Sequence, residues 1–375
     1  MSSPEETRSQ CLEALTRESQ RADSLKAFVG LDGFVDEIIH VVDKREDANH
    51  FQRIPTILDY ANRIAEAAGK STNIELVTQR VKLGGNGPIM ANALAAFGVG
   101  VSYVGALGYP NMHPVFQTLA DKSDVFSIAD AAHTDALEFD DGKLMLGKMT
   151  PLNDIRWPVI QERMGRETLE NRITSANLIS FVNWTMVPYM SEIWEAILDD
   201  GLLPDRSANR VGFFDLCDPE KRENEDLLHA MTLLGRFRKH LRVILGLNEK
   251  EAMELAEVYG IPIGANTREG RCLLTEKLFE KLDVDVLVVH PVAYALAVTE
   301  NETTWVPGPF VEKPVITTGA GDHFNAGFCL GQLLGLSPTM SLNLGVSSSG
   351  HYVRSGRSPL VSDLAEILRN WPSAQ

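Results

Sequence analysis

The chain has 375 residues, 44% of them hydrophobic and 23% charged, with a formal net charge of −16. That composition belongs to a globular protein able to bury a sizeable core. The acidic balance argues against general nucleic-acid binding, and no apolar run approaches the roughly 18 residues of a membrane span. The four cysteines, Cys11, Cys217, Cys272 and Cys329, show neither metal-ligand spacing nor a disulfide framework, which points to a reducing cytoplasm.

Met1 to Asp23 is rich in Glu, Arg and Ser and lacks the apolar region of a secretory signal. Leucines alternate with charges over residues 5–25, so an extra N-terminal helix is expected within 1–25, ahead of a main domain over 26–372. Ala27-Phe28-Val29-Gly30 reads as the first core strand. Leu83-Gly84-Gly85-Asn86-Gly87-Pro88 opens a helical run, Ile89 to Phe97, followed by a strand ending at Gly105. From Thr134 to Leu146, apolar residues flank Asp140-Asp141-Gly142-Lys143, a hairpin signal. That ribbon is either a plain surface hairpin or part of a small β-sheet lid, with strands from about 37–55 and 130–150. Further apolar runs, Leu178 to Val182, Val211 to Phe214, Val243 to Leu245 and Val286 to Val289, alternate with helical stretches. Short buried runs of this kind predict parallel strands, hence an α/β fold with a doubly wound, mainly parallel sheet and helices on both faces.

Chemistry is concentrated in Thr317-Thr318-Gly319-Ala320-Gly321-Asp322. An extended run, Val311 to Ile316, is expected before it and a helix after it, from the spacing of Phe324, Phe328, Leu330 and Leu333. A helix start presents unpaired backbone N–H groups and the positive end of the helix dipole. Small residues let a charged oxygen approach them. Asp322 adds a carboxylate, either as a plain helix cap or as the group that takes a proton beside an anion cradle, which suits phosphoryl transfer.

This segment resembles the GAGD signature of the PfkB/ribokinase family of sugar and nucleoside kinases. Leu83 to Gly105 is similar to the family's di-glycine sugar-binding segment, Asn248-Glu249-Lys250-Glu251 to its Asn-x-x-Glu motif, and Tyr352-Val353-Arg354-Ser355-Gly356 to the loop that closes over the nucleotide. The resemblance implies a ribokinase-like fold with a lid and ATP-dependent phosphorylation of a hydroxyl on a sugar or sugar-like molecule. Asp322 would act as general base, and the amides around Gly319, Ala320 and Gly321 as the anion hole. Asp36, or its competitor Asp32, would bind the acceptor with Gly84, Gly85 and Asn86. Asn248 and Glu251 would order Mg2+ and its water shell around ATP, with no direct protein ligand to the metal, and Thr318, Asn325 and Gly356 would complete the nucleotide site. A homodimer formed through the lid is a further expectation.

Several positions depart from the family pattern. Ile316 replaces an Asp that holds a monovalent cation in some relatives, so little response to potassium is expected. Ile89 replaces an Asn. His290-Pro291-Val292-Ala293-Tyr294-Ala295 lacks the glycines that let the backbone approach the nucleotide. Two alternatives therefore stand beside the sugar kinase. A nucleoside kinase would need an aromatic clamp, for which Phe34 and Trp184 are the visible choices. A non-catalytic, ligand-binding or regulatory protein could retain the fold. The nine histidines form no helical metal-binding pair, so no zinc site is expected. His323 is expected to be an ordinary helix residue.

Overall fold

In the computed structural model, which describes residues 3–206 and 210–373, fourteen strands form two sheets. Met1 and Ser2 of the expected N-terminal segment lie outside the described residues. The strands are β1 (Lys26–Leu31), β2 (Phe34–Arg45), β3 (Phe51–Arg53), β4 (Leu76–Gly84), β5 (Gly100–Gly105), β6 (Asp124–Ser127), β7 (Ala132–Glu138), β8 (Lys143–Lys148), β9 (Leu178–Phe181), β10 (Val211–Asp215), β11 (Arg242–Leu247), β12 (Val286–Val289), β13 (Tyr294–Thr299) and β14 (Thr303–Pro307).

The large sheet has the order β14-β13-β12-β11-β10-β9-β1-β5-β6. It is parallel from β12 to β6 and antiparallel at the β13–β14 edge. Its strands are buried on both faces. Adjacent Phe213 and Phe214 enter opposite core clusters, as do Phe28 and Val29, because successive side chains of a strand point to opposite faces. On one face Trp194, Phe214 and Phe237 pack with ring centroids 5.0–6.2 Å apart. The chain runs from β1 to β5 in one direction and from β9 toward β12 in the other, so the strand order reverses between β1 and β9. Open α/β sheets bind ligands at the carboxyl ends of strands at such a reversal.

The second sheet is the lid. Its long central strand β2 pairs antiparallel with β4 and parallel with β7, and β7 continues into the β8 hairpin. Ile39, Val41, Ile54, Leu137 and Phe139 form its own small core. β4 was not evident in the sequence, because Thr78, Gln79, Arg80 and Lys82 dilute its apolar pattern.

The helix Pro4–Glu18 is capped by Ser3, whose hydroxyl accepts from Glu6 N–H, and carries proline at its start and acids in its first turn. Its Cys11 and Leu15 are buried in the same cluster as Leu364 and Leu368 of the helix Val361–Arg369.

Two local expectations fail. Val311 to Ile316 is irregular, and the strand preceding the motif is instead β14. Pro309 and Pro314 cannot donate to a ladder, and Val315 N–H bonds to Val353 O of a helix rather than to a strand. Tyr352 to Ser355 is the last turn of the helix Pro338–Ser355, not a loop. The stop comes at Gly356, whose φ of 70° and bond to Tyr352 O make a left-handed C-cap. No helix among the described residues is long and apolar enough to cross a membrane.

Candidate active site

The crevice at the carboxyl ends of β1, β9, β10 and β11 faces the N-terminus of the helix Ala320–Leu333. Gly319 caps that helix with φ 93°, a conformation that glycine adopts without penalty. A Cβ there would come within 3.2 Å of Ile89 Cδ1 and of the Tyr352 hydroxyl. The Tyr352 hydroxyl donates to Thr318 O at 2.9 Å. The amides of the first turn thus open at a bare, tightly supported helix start.

Asp322 lies buried in that first turn and accepts a 2.9 Å hydrogen bond from Asn86 Nδ2. Burial, reinforced by the negative charge of Asp32, holds the Asp322 carboxyl well above the usual carboxylate range, and the Asn86 bond opposes that shift. Asn86 begins the helix Asn86–Ala96 directly after β4 and the two glycines. The motif and the di-glycine segment, 236 residues apart, therefore meet in one hydrogen bond.

The two acids near the end of β1 divide their work. Asp32 is wholly buried and accepts from Asn86 N–H and Gly87 N–H, each at 2.9 Å, and from Asn183 Nδ2 at 2.7 Å. Its carboxylate caps the di-glycine helix and ties it to β9, and burial pushes its pKa up to about 6. Asp36 sits on β2 in one cross-strand row with Lys82 and Thr134, its carboxylate 3.6 Å from the Lys82 ammonium. Gly84 lies against it: a Cβ at that position would be 2.5 Å from Asp36 Oδ2. Gly85, at φ 94°, likewise abuts Asp32 and Phe34.

At the other end of the crevice Asn248 caps the helix Glu249–Val258 in a reciprocal box. Its Oδ1 accepts from Glu251 N–H at 2.9 Å, while Glu251 Oε2 accepts from Asn248 N–H at 2.8 Å. Glu251 Oε1 also accepts from Asp218 N–H at 3.2 Å. Burial raises the Glu251 carboxyl to about 7. Asn325 is buried and donates to Asp215 Oδ2 at 3.0 Å, with its own Oδ1 unpartnered. Asp215 is held well above its ordinary value by burial and by the charges of Glu251 and Asp322. No group of three or more metal-ligating side chains occurs among the described residues.

The structure brings Asp32, Asn86, Gly319, Ala320, Gly321 and Asp322 together, with Asp36 and Gly84 beside them on the lid. Asn248 and Glu251 mark the far end, and Asn325 lies one turn beneath the motif. Gly356 lines a cavity on the lid side together with Ile316 and His323. His323 is held by Gly319 O and Ser358 Oγ and stacked on Tyr352 at 3.7 Å, and burial lowers its pKa to about 4.

Sequence reasoning missed the roles of Asn183, Tyr103 and His290. Asn183 adopts φ 62° at the end of β9, and Cys217 and Asp218 adopt φ 59° and 53° just after β10. Left-handed non-glycine residues clustered at adjacent strand ends are a mark of functional crevices. The Tyr103 hydroxyl donates to Asp32 O at 2.5 Å. The His290 ring packs on Phe324 and takes the space beside Gly321, 3.3 Å from where its Cβ would be. Trp184 is fully buried under the Arg222 guanidinium, with Nε1 bonded to Ser191 Oγ at 2.9 Å. It is a packing residue and cannot clamp a base.

The model of the prokaryotic ketohexokinase family matches residues 4–371. The chain belongs to the prokaryotic ketohexokinase family. It is 29% identical over 369 residues to a ketohexokinase of Haloferax volcanii, covering 97% of this chain and 96% of the relative. Among solved structures it is similar to the Arabidopsis thaliana ribokinase complexed with ribose and ATP (TM-score 0.61, 17% identity, 92% of this chain and 98% of the other). The nucleoside kinase of Methanocaldococcus jannaschii is similar too (TM-score 0.61, 15% identity, the same coverage). Those structural likenesses carry the ribokinase fold. Family membership identifies an ATP-dependent sugar kinase, and the regulatory-protein alternative is not favoured.

Proposed function

We propose that the chain transfers the γ-phosphoryl group of ATP to a hydroxymethyl group of a ketohexose. The hydrogen bond between Asn86 and Asp322 carries the mechanistic part of this reading, because it joins the acceptor segment to the proton acceptor. The family match over residues 4–371 supports the ketohexose. The sugar hydroxyl loses its proton to Asp322, its oxygen forms the bond to the γ-phosphorus, and the bond to ADP breaks. Burial raises the pKa of Asp322, which makes its carboxylate a stronger proton acceptor than an exposed one. The first-turn amides around Gly319, Ala320 and Gly321 stabilise charge on the transferring group. Asp36 accepts from sugar hydroxyls, Gly84 and Gly85 let the ring approach the backbone, and Asp32 positions Asn86.

The buried carboxyl groups of Asp215 and Glu251, with no salt-bridge partner among the described residues, fit a magnesium–triphosphate better than a bare anion. Mg2+ would neutralise phosphate oxygens, its water shell held by Asn248 and Glu251, whose capping bonds fix both side chains. Thr318, Asn325 and Gly356 belong to the nucleotide side through their support of the motif helix and its flank. A cytoplasmic location is in keeping with four unpaired cysteines. Exposed Val81 and Leu146, in the same cross-strand row as Glu37 and Asp135, offer a lid face for a homodimer.

Comparing kcat/KM for ketohexoses, aldohexoses, polyols and nucleosides, each with Mg2+ and ATP, tests the assignment. Ketohexoses rank first if it is right. A nucleoside preference would overturn it; both aromatic residues considered for a base clamp, Phe34 and Trp184, are buried in the core.

A further inference from the structure

A cavity of about 460 Å³ lies on the lid side of the motif helix, between β4, the helix Asn86–Ala96 and the segment after Gly356. In a chain with net charge −16, its wall carries Arg80, Lys82, Lys122 and Arg357 and no carboxylate. Lys82 is paired with Asp36 and Arg357 with Asp363, which stand outside the wall, whereas Arg80 and Lys122 have no salt-bridge partner among the described residues. Gly356, assigned above to the nucleotide side, borders it, whereas Asn248, Glu251 and Asp215 do not.

A hydrogen-bonded chain runs from this wall to the motif. His323 Nδ1 bonds to Gly319 O at 2.7 Å and so must carry the proton, which leaves Nε2 to accept from the Ser358 hydroxyl at 2.9 Å. Ser358 Oγ in turn accepts from Asn92 Nδ2 at 3.0 Å. One acceptor of the chain is left over: the buried Asn92 Oδ1 has no partner. A buried acceptor without a donor is costly unless a ligand or water supplies one.

We propose that this cavity binds a small phosphorylated sugar, at a site separate from the triphosphate cradle. Its volume falls within the range of small-molecule sites. Arg80 and Lys122, both in the cavity wall and free of salt-bridge partners among the described residues, match a phosphate dianion, and a sugar hydroxyl meets the unpartnered Asn92 oxygen. The excess of cations also explains why Ile316, another wall residue, stands where a cation ligand would be useless. Binding at this wall reaches Gly319 through Ser358 and His323, so occupancy is coupled to the helix start that cradles the transferring phosphate.

Calorimetry without nucleotide tests the site independently of turnover, using inorganic phosphate, fructose 6-phosphate and neutral fructose. The proteins are the wild type and Arg80→Ala/Lys122→Ala, two exposed positions whose replacement leaves the core untouched. The wild type binds both phosphates, fructose 6-phosphate more tightly. The double variant binds each at least about tenfold more weakly, since two charge-assisted contacts are lost, and its response to fructose is unchanged. Asn92→Ala removes the preference for fructose 6-phosphate over inorganic phosphate. Equal phosphate affinity in the two proteins, or no phosphate binding by the wild type, overturns the proposal.

Discussion

Gly84→Ala isolates the acceptor side of the site. The added methyl group would overlap the Asp36 carboxylate, lying 2.5 Å from Oδ2 against an ordinary contact of about 3.5 Å. Asp36 must therefore retreat by about 1 Å. It has little room to do so, because it is buried between Lys82 and Thr134 in the lid sheet. Overpacking of this kind costs about 1–3 kcal/mol of stability. A displacement of about 1 Å in a substrate-positioning group lowers rates by about a hundredfold, which is about 2.7 kcal/mol of transition-state binding. Steady-state kinetics with varied ketohexose and saturating ATP should show kcat/KM for the sugar down by about that factor, while calorimetric affinity for the nucleotide, held at the other end of the crevice, stays within about twofold. A variant that keeps wild-type kcat/KM for the sugar would show that Asp36 and Gly84 do not form the acceptor site.

Asp322→Asn should lower turnover at least about a hundredfold, the scale of a lost general base. An asparagine there can still accept from Asn86, so the fold survives, and thermal melts should show a neutral-pH Tm no lower than that of the wild type, because a buried charge has been removed. The same logic gives a pH profile for the ligand-free protein. Asp32 and Glu251 titrate near 6 and 7 in the fold, above their ordinary values of 3.8 and 4.5, so the folded state holds the extra protons. Stability is then full below about pH 4 to 4.5 as far as these two groups are concerned and is lost as pH rises toward 7. Melts at pH 5 and 8 should give the higher Tm at pH 5, and Glu251→Gln should flatten the difference. Rates in potassium and in a large organic cation should agree within about twofold, since Ile316 supplies no ligand; a strong rise in potassium would contradict the cationic character of the adjoining cavity.

Elements whose signal is local were legible in the sequence. The parallel strands announced themselves as short apolar runs because both their faces are covered. The motif helix did so through the helical spacing of Phe324, Phe328, Leu330 and Leu333. The β7–β8 hairpin followed from its Asp-Gly turn. What stayed hidden depends on tertiary partners. β4 reads as polar because one of its faces looks into a basic cavity. Val311 to Ile316 looks extended but has no neighbouring strand to pair with. Tyr352 to Ser355 resembles a loop only until Gly356 is seen to cap a helix. Asp32 and Asp36 could not be ranked by spacing alone, since the distinction lies in the three donors that converge on Asp32 from Asn86, Gly87 and Asn183.

Phosphorus and carbon NMR of the product formed from fructose, ATP and Mg2+ tests the central claim most directly, with Asp322→Asn as the control. One phosphate attached to a hydroxymethyl carbon, one ADP released for each sugar consumed, and product from the variant formed at least about a hundredfold more slowly are the predicted results. ATP consumed without a sugar phosphate, or product formed equally by the Asp322→Asn variant, would contradict the account.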